Sequence, residues 1–305
     1  MFDDLWVEKY RPNLLNQIVL SDNNRRIFEK FEKEKTIPNL LFAGTAGIGK
    51  TSLAKILCKS VLQCQYLYIN ASDENGIDVI RTKVTNFSRT KSFDGGIKCI
   101  ILDETDGLSQ EAQRALRNTM EEHAELTRFI LTANYKHRII DPLQSRCQSF
   151  DLTPPIEMCN DRIISILEKE DVTYTKTDDR LKTFIKTCYP DLRKCINEIQ
   201  KNIVNNTLDF EHLIRVKDQF VESLYKITQQ GLTLKARKKV IENEHVFNGD
   251  YVELLRGLFD YIYDASDISD IKKAEHMVIV SEHLYRSAFV ADPEINFYSC
   301  LLQLN

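Results

Sequence analysis

The nine residues "GTAGIGKTS" at positions 44 to 52 constrain this chain more than any other stretch. They fit the spacing Gly-x(4)-Gly-Lys-Thr, follow the apolar run "NLLF" and open the helical run "TSLAKILCKSVL". A glycine-rich turn between a strand and a helix lets backbone amides point inward around phosphate oxygens, and the positive end of the following helix adds to the attraction. On that reading Gly44, Gly47, Ile48 and Gly49 form the cradle, Lys50 reaches the β and γ phosphates, Thr51 ligates magnesium, and Ser52 lies beside them. A turn that only capped a helix would not need the Lys-Thr pair.

What surrounds this turn sets its class. Seven of the ten glycines lie at or before Gly107, whereas no proline and only three glycines fall between Pro190 and Pro293, so the first part of the chain is punctuated and the second is helical. The β-rich runs "NLLFAG", "YLYINAS", "KCIILDE" and "TRFILTAN" alternate with helical stretches near 50–62, 77–90 and 109–122. Such alternation predicts an α/β fold with a parallel sheet flanked by helices. "SFDLTPP" closes this part, because Pro154 and Pro155 can neither continue a strand nor sit inside a helix. Three amphipathic segments near 157–170, 178–188 and 191–204 follow, then an all-helical tail from about Phe210.

At 305 residues the chain is expected to hold two or three domains. A net charge of -4 gives no global basic signature, so contact with nucleic acid would have to come from a local cluster of Lys and Arg. The eight cysteines show no Cys-x-x-Cys spacing and no signal peptide precedes them, which predicts reduced intracellular thiols. No apolar run approaches the length of a membrane span, and the expectation is a soluble, non-secreted protein.

Four further motifs carry chemistry. "CIILDETD" places Asp103 and Glu104 at the C-terminal end of a buried strand, where a doubly wound sheet opens into its ligand crevice. Asp103 is suited to hold magnesium through water, and Glu104 to orient the water that attacks the γ-phosphate. "FILTAN" ends another strand on Asn134, a neutral amide able to position that water without adding charge. In "YPDLRKCINEIQ" the stripe Leu192, Cys195, Ile196, Ile199 and Ile203 predicts a helix capped by Asp191. Arg193 lies off that stripe in the first turn, where a cation opposes the helix dipole unless an anion is near; solvated surface is the alternative. "DPLQSRCQSF" poses a similar choice at Arg146, which has no obvious partner within its own domain, with Asp141 and Pro142 expected to form the turn that exposes it.

Taken in order, "WVEKYRP", "GTAGIGKTS", "ASDENGIDVIR", "ILDETD", "AQRALRNTME", "TRFILTAN", "PLQSRC" and "PDLRKCINEIQ" closely resemble the ATPase subunits of sliding-clamp loaders over residues 5 to 205. These are AAA+ proteins that include the small subunits of replication factor C and the loader ATPase of T-even-type phages. The resemblance implies a RecA-like core at 1–153, a helical lid at 154–208 and an all-α collar at 209–305 that assembles subunits. It implies that Val7, Glu8, Lys9, Tyr10, Arg11 and the backbone around Val19 contact the adenine base. Asn134 matches the sensor 1 position and Arg193 the sensor 2 position.

Arg146 matches the arginine finger that projects into a neighbouring subunit's ATP site, where it neutralises charge developing in the transition state. Arg81, Lys83, Arg114 and Arg117 are the implied DNA phosphate contacts, which would read no sequence. Gln113 falls where relatives carry a glutamine that couples subunits. Asn75 departs from the Arg or Lys that many relatives carry, which puts the link from DNA to Glu104 in question.

The implied cofactors are ATP and Mg2+. The implied partners are primer-template DNA, a ring-shaped clamp, further copies of the chain and a companion subunit in a pentameric spiral, with no membrane. "SFDG" at 92–95 and "PDLRK" followed by a short collar lean toward a phage or viral loader working in the host cytoplasm, and "AQRALRNTME" toward replication factor C, which in a eukaryote would work in the nucleus. A nonhydrolysing scaffold subunit is disfavoured by intact Lys50, Thr51, Asp103 and Glu104. A helicase loader or branch-migration motor is disfavoured by "VEKYRP" and "PLQSRC", and a small-molecule kinase by the lack of a substrate-lid motif.

Overall fold

Alternating apolar residues in three of the strands divide between two cores. In the computed structural model, which describes residues 5–92, 96–174, 180–209, 216–247 and 249–305, the strands are β1 (Leu40–Ala43), β2 (Tyr66–Asn70), β3 (Lys98–Asp103), β4 (Thr127–Ala133) and β5 (Gln148–Asp151). They form one parallel sheet in the order β2-β3-β4-β1-β5. Leu40, Phe42, Cys99, Ile101 and Ile130 point into a core shared with the helix Asp22–Glu34 and the helix that begins at Lys50. Leu41, Ile100, Leu102, Phe129 and Leu131 point the other way, onto the helix Gln110–Glu122 and the helical segments between Ile77 and Arg89. Period-two alternation with apolar residues on both faces is what a sheet covered by helices on each side requires.

Because all five strands run the same way, everything that follows a strand lies at one rim of the sheet. The turn after β1, the carboxylates ending β3 and Asn134 after β4 therefore share a rim. Leu40 is in register with Gln148 and Ala43 with Asp151, so Arg146, two residues before β5, belongs to the opposite rim.

After Pro155 come the helices Ile156–Lys169, Arg180–Cys188 and Leu192–Lys201. The last stops short of the predicted 204. Ile203–Val204 and Thr207–Leu208 instead pair as an antiparallel hairpin, with Asn205 and Asn206 at positive φ of 49° and 60°. Asparagine tolerates the left-handed conformation that a two-residue hairpin turn demands at both positions, and this local preference overrides the helical stripe. Ile203 thus leaves the helix.

Contacts divide the chain into two compact units, residues 1–208 and 209–305. The second unit is helical: Val216–Gln229, Thr233–Glu242, Glu244–Phe247, Tyr251–Asp264, Asp270–Arg286 and Pro293–Gln303 surround a core containing Leu224, Leu255, Leu258, Val280, Phe297 and Leu301. Phe210, the expected start of this tail, and Phe93 to Gly95 of "SFDG" lie outside the described residues. Among the described residues no helix is long and apolar enough to cross a membrane.

Candidate active site

The turn between β1 and the helix Lys50–Ile56 needs its glycines for two reasons. Gly49 has φ of 96°, which a side chain would strain. Gly47, at φ 75°, leaves no room: a Cβ there would overlap the carboxylate of Asp191, which caps the helix Leu192–Lys201 by accepting from the Lys194 amide at 2.9 Å. The first turn of that helix, with Arg193 in it, is thereby brought over the glycine turn.

Lys50 is buried, and its Nζ donates to the carbonyls of Gly44 (2.8 Å) and Thr45 (2.7 Å) and to Asn134 Oδ1 (2.8 Å). Burial pushes the ammonium's pKa down, opposed by the negative charges of Asp103, Asp106 and Glu104 and assisted by positive Arg193. The lysine and Asn134 are therefore directly bonded, and the positive charge of Arg193 is near enough to act on the lysine.

Asp103, also buried, accepts from three hydroxyls. Thr51 donates at 2.8 and 2.9 Å to its two oxygens, Tyr68 to Oδ2 at 2.8 Å and Thr132 to Oδ1 at 2.6 Å. Burial and the bond to Asp103 together raise the Tyr68 hydroxyl's pKa. Lys55 Nζ lies 4.4 Å from the centre of the Tyr68 ring, a cation–π contact. Glu104 takes a left-handed backbone conformation (φ 54°), held by its amide donating to Thr132 Oγ1 at 3.0 Å, and its Oε2 accepts from Ser72 Oγ at 2.5 Å. Asp106 accepts from the amides of Asn134 (3.3 Å) and Tyr135 (3.0 Å), tying the loop after β3 to the end of β4.

Tyr68, Ser72, Asp106 and Thr132 are functional neighbours that sequence reasoning missed. Asp106 alone carried a local signal, standing inside "ILDETD".

The N-terminal arm forms the short helix Trp6–Lys9. The Tyr10 hydroxyl donates to Glu170 Oε1 at 2.6 Å, Lys9 Nζ lies 2.5 Å from the same oxygen, and Arg162 donates to the Tyr10 carbonyl at 2.9 Å. Burial, then the Glu170 bond, pushes the Tyr10 pKa up to about 12. Arg11 pairs with Glu8 at 2.6 Å. A cavity of about 420 Å³ opens between Val19, Arg25, Met158 and Arg162. Of the residues expected to contact a base, Val19 lines this cavity, while Tyr10 reaches its wall through Arg162.

Arg146 follows a short helix, Asp141–Gln144, in place of the expected exposing turn; Pro142 is accommodated in its first turn, where no amide donor is required. The expectation that this arginine lacks a partner in its own domain is corrected. It donates to Glu121 and, at 2.7 Å, to the Pro142 carbonyl. Arg117 shares Glu121 at 3.3 Å.

Gln113 is buried and spans the same region, donating to the carbonyls of Leu108 (3.2 Å) and Arg138 (3.1 Å) and accepting from the Ile140 amide at 2.9 Å. It thus joins the helix after the acidic motif to the segment that leads into Arg146. Arg81 and Arg114 are exposed on two packed helical segments, and Lys83 pairs with Glu74 at 2.6 Å. The Asn75 carbonyl accepts from the amide of Ser109, the cap of the helix that carries Arg114 and Arg117.

A glycine turn, a buried lysine, a hydroxyl against a strand-end carboxylate and a strand-end asparagine meet at one rim of the sheet, an arrangement suited to binding and hydrolysing a nucleotide. Residues 40–154 match the ATPase family associated with various cellular activities (AAA). Over its full length the chain is 36% identical to a replication factor C small subunit from Thermofilum pendens, of which it covers 97%. A subunit of the same name from Archaeoglobus fulgidus is 43% identical over 65% of this chain and 63% of its own, and one from Sulfolobus acidocaldarius 40% identical over 78% and 76%. The chain belongs to the replication factor C small-subunit family.

This family member is a nucleotide-binding ATP hydrolase and the ATPase subunit of a clamp loader. The resemblance read from the sequence motifs is borne out. The Thermotoga maritima RuvB Holliday junction branch migration motor superposes with a TM-score of 0.54 over 72% of this chain and 80% of its own, and a single-residue variant of that RuvB with 0.55 over 96% and 90%. At 16% identity that likeness is one of fold. The alternative of a branch-migration motor or helicase loader is not favoured beside relatives at 36 to 43%.

Proposed function

We propose that this chain binds ATP with Mg2+ and, in a pentameric spiral with further copies and a companion subunit, opens a ring-shaped sliding clamp and places it on primer-template DNA. Within this reading residues 1–153, 154–208 and 209–305 act as core, lid and assembling collar, and the protein works inside the cell on DNA. The phosphates lie in the turn from Gly44 to Ser52, where Lys50 exchanges its carbonyl partners for β and γ oxygens. Val7 to Arg11 and Val19 flank the base.

Thr51 and Asp103 offer only oxygen donors, already within 2.9 Å of each other, which suits a hard cation such as magnesium. Bound there, it would offset phosphate charge as the γ-phosphoryl group leaves. Glu104 turns from Ser72 to orient and polarise the attacking water, Asn134 positions that water, and Arg193 lies on the phosphates from the lid.

The observation that carries the reading is the position of Arg146. It stands before β5, at the rim opposite its own glycine turn, separated from it by roughly 10 Å of strand. An arginine so placed is poised for another copy's site and not its own. Its ion pair with Glu121 is a partly exposed one, and such pairs are worth about 0–1 kcal/mol, so a γ-phosphate can displace it. Gln113, bonded to Arg138 and Ile140, couples that finger to the helix carrying Arg114 and Arg117, which with Arg81 and Lys83 contact DNA phosphates.

The test is steady-state ATP hydrolysis by assemblies built with Arg146→Ala, with clamp and primer-template DNA present. Hydrolysis is expected to fall about a thousandfold or more with ATP affinity nearly unchanged. Turnover equal to that of the unaltered assembly would return Arg146 to ordinary surface.

A further inference from the structure

Three cysteines far from the nucleotide turn converge. Cys58, Cys64 and Cys99 place their sulfurs within 4.8 Å of one another, the only such group of metal-binding side chains among the described residues. Their backbones are held relative to one another. Cys58 lies in a π-helical turn, Leu57–Val61, that widens the end of the helix begun at Lys50. The chain then reverses through Gln63, whose φ of 51° is left-handed. The Cys64 amide donates to the Cys58 carbonyl at 3.1 Å, and the Cys99 amide to the Gln65 carbonyl at 3.0 Å. Single π turns recur where a helix must re-aim a functional side chain.

Cys58 and Cys99 are fully buried, but Cys64 is partly accessible and lines a cavity of about 200 Å³ together with Lys35, Gln63, Ile97 and Arg128. The cluster contains sulfur donors and no carboxylate or imidazole, which selects against Mg2+ and Ca2+ and for thiophilic ions. Metal–sulfur bonds of about 2.3 Å from a common centre require sulfurs roughly 4 Å apart, so the observed spacing needs an adjustment of less than about 1 Å.

We infer that Cys58, Cys64 and Cys99 form a three-thiolate site for a thiophilic d10 cation such as Zn2+, with its fourth position open to the cavity at Cys64. On binding, three S–H groups release their protons to solvent and three sulfur–metal bonds form. A divalent ion then carries one net negative charge, which Arg128 and Lys35 on the cavity wall offset. The bound ion would tie the end of the phosphate-binding helix to β3, the strand that ends in Asp103.

Titration of the reduced, metal-free full-length protein with Cd2+ should give an ultraviolet thiolate-to-cadmium charge-transfer band that saturates at one equivalent and is reversed by a chelator. Cys64→Ser should lose the band while keeping the native circular dichroism. Zinc X-ray absorption of the unaltered protein, loaded with one equivalent of Zn2+, should count three sulfur neighbours, and this measurement decides the matter if the variant does not fold. Absence of the band, its survival in Cys64→Ser, or two or fewer sulfur neighbours would each overturn the assignment.

Discussion

Replacing Thr132 by valine removes one oxygen from the site without changing side-chain shape. The hydroxyl donates to Asp103 Oδ1 at 2.6 Å and accepts from the Glu104 amide at 3.0 Å, linking both strand-end carboxylates to β4. Thr132 is 0% and Asp103 8% exposed, so water cannot easily replace the lost donor. A hydrogen bond to a charged group contributes about 1.5–3 kcal/mol, and an orphaned amide adds roughly 1 kcal/mol or more, at the low end here because Glu104 is exposed and its amide can find water. The sum is about 2–4 kcal/mol. For a folding unit of 150–250 residues each kcal/mol moves the midpoint by about 2–4 °C, which predicts a melting temperature lower by roughly 5–15 °C. Glu104 also loses the bond that fixes its left-handed backbone, and misplacement by about 1 Å can cost roughly a hundredfold in rate. The assay is thermal unfolding by circular dichroism alongside steady-state ATP hydrolysis, with Thr132→Ser as the variant that keeps the hydroxyl and loses only a methyl. If the valine variant melts and turns over like the unaltered protein while the serine variant is the weaker, the hydroxyl bridge is not what organises the carboxylates.

Two further outcomes follow from charges on the surface. Arg114→Ala should weaken DNA binding by the assembled loader equally across sequences and lower the salt-dependence slope by about one, as expected for a phosphate contact; an unchanged slope assigns Arg114 to solvent. Burial raises the Glu170 carboxyl's pKa, but the bonds from Lys9 and Tyr10 outweigh it and hold the value below the ordinary carboxylate range. The folded-state pKa is the lower one, so this tie stabilises the arm above the ordinary glutamate value of about 4.3 and is lost as pH falls through the depressed value. Trp6, the sole tryptophan, is buried in the arm and reports the loss by fluorescence during acid titration. Glu170→Gln should flatten that acid transition, and superimposable titration curves would refute the role of the carboxylate.

Much of the site was legible because its chemistry is written in contiguous stretches. A turn that must present amides to phosphate needs glycine at fixed offsets, and a strand that ends in a crevice shows its carboxylates in order, so Lys50, Thr51, Asp103, Glu104 and Asn134 stand out from their immediate neighbours. Thr132, Tyr68 and Ser72 do not. Each is an ordinary strand or turn residue in sequence, and its role appears only where strand register brings its hydroxyl onto Asp103 or Glu104. The hairpin at Ile203–Leu208 was hidden for another reason: helical spacing continued through Ile203, while the two asparagines that redirect the chain act through backbone conformation.

Local pattern by itself determined the alternation of strands and helices, the phosphate-binding turn and the family, since each depends on residues near one another along the chain. Tertiary structure decided which groups meet. It paired Arg146 with Glu121, laid Asp191 and Arg193 over the glycine turn, and drew together Cys58, Cys64 and Cys99 from a helix end, a loop and a strand. The physical reason is that hydrogen bonds, ion pairs and thiol clusters act over a few ångströms of space, and only the packing of the parallel sheet between its helices converts separation along the chain into contact.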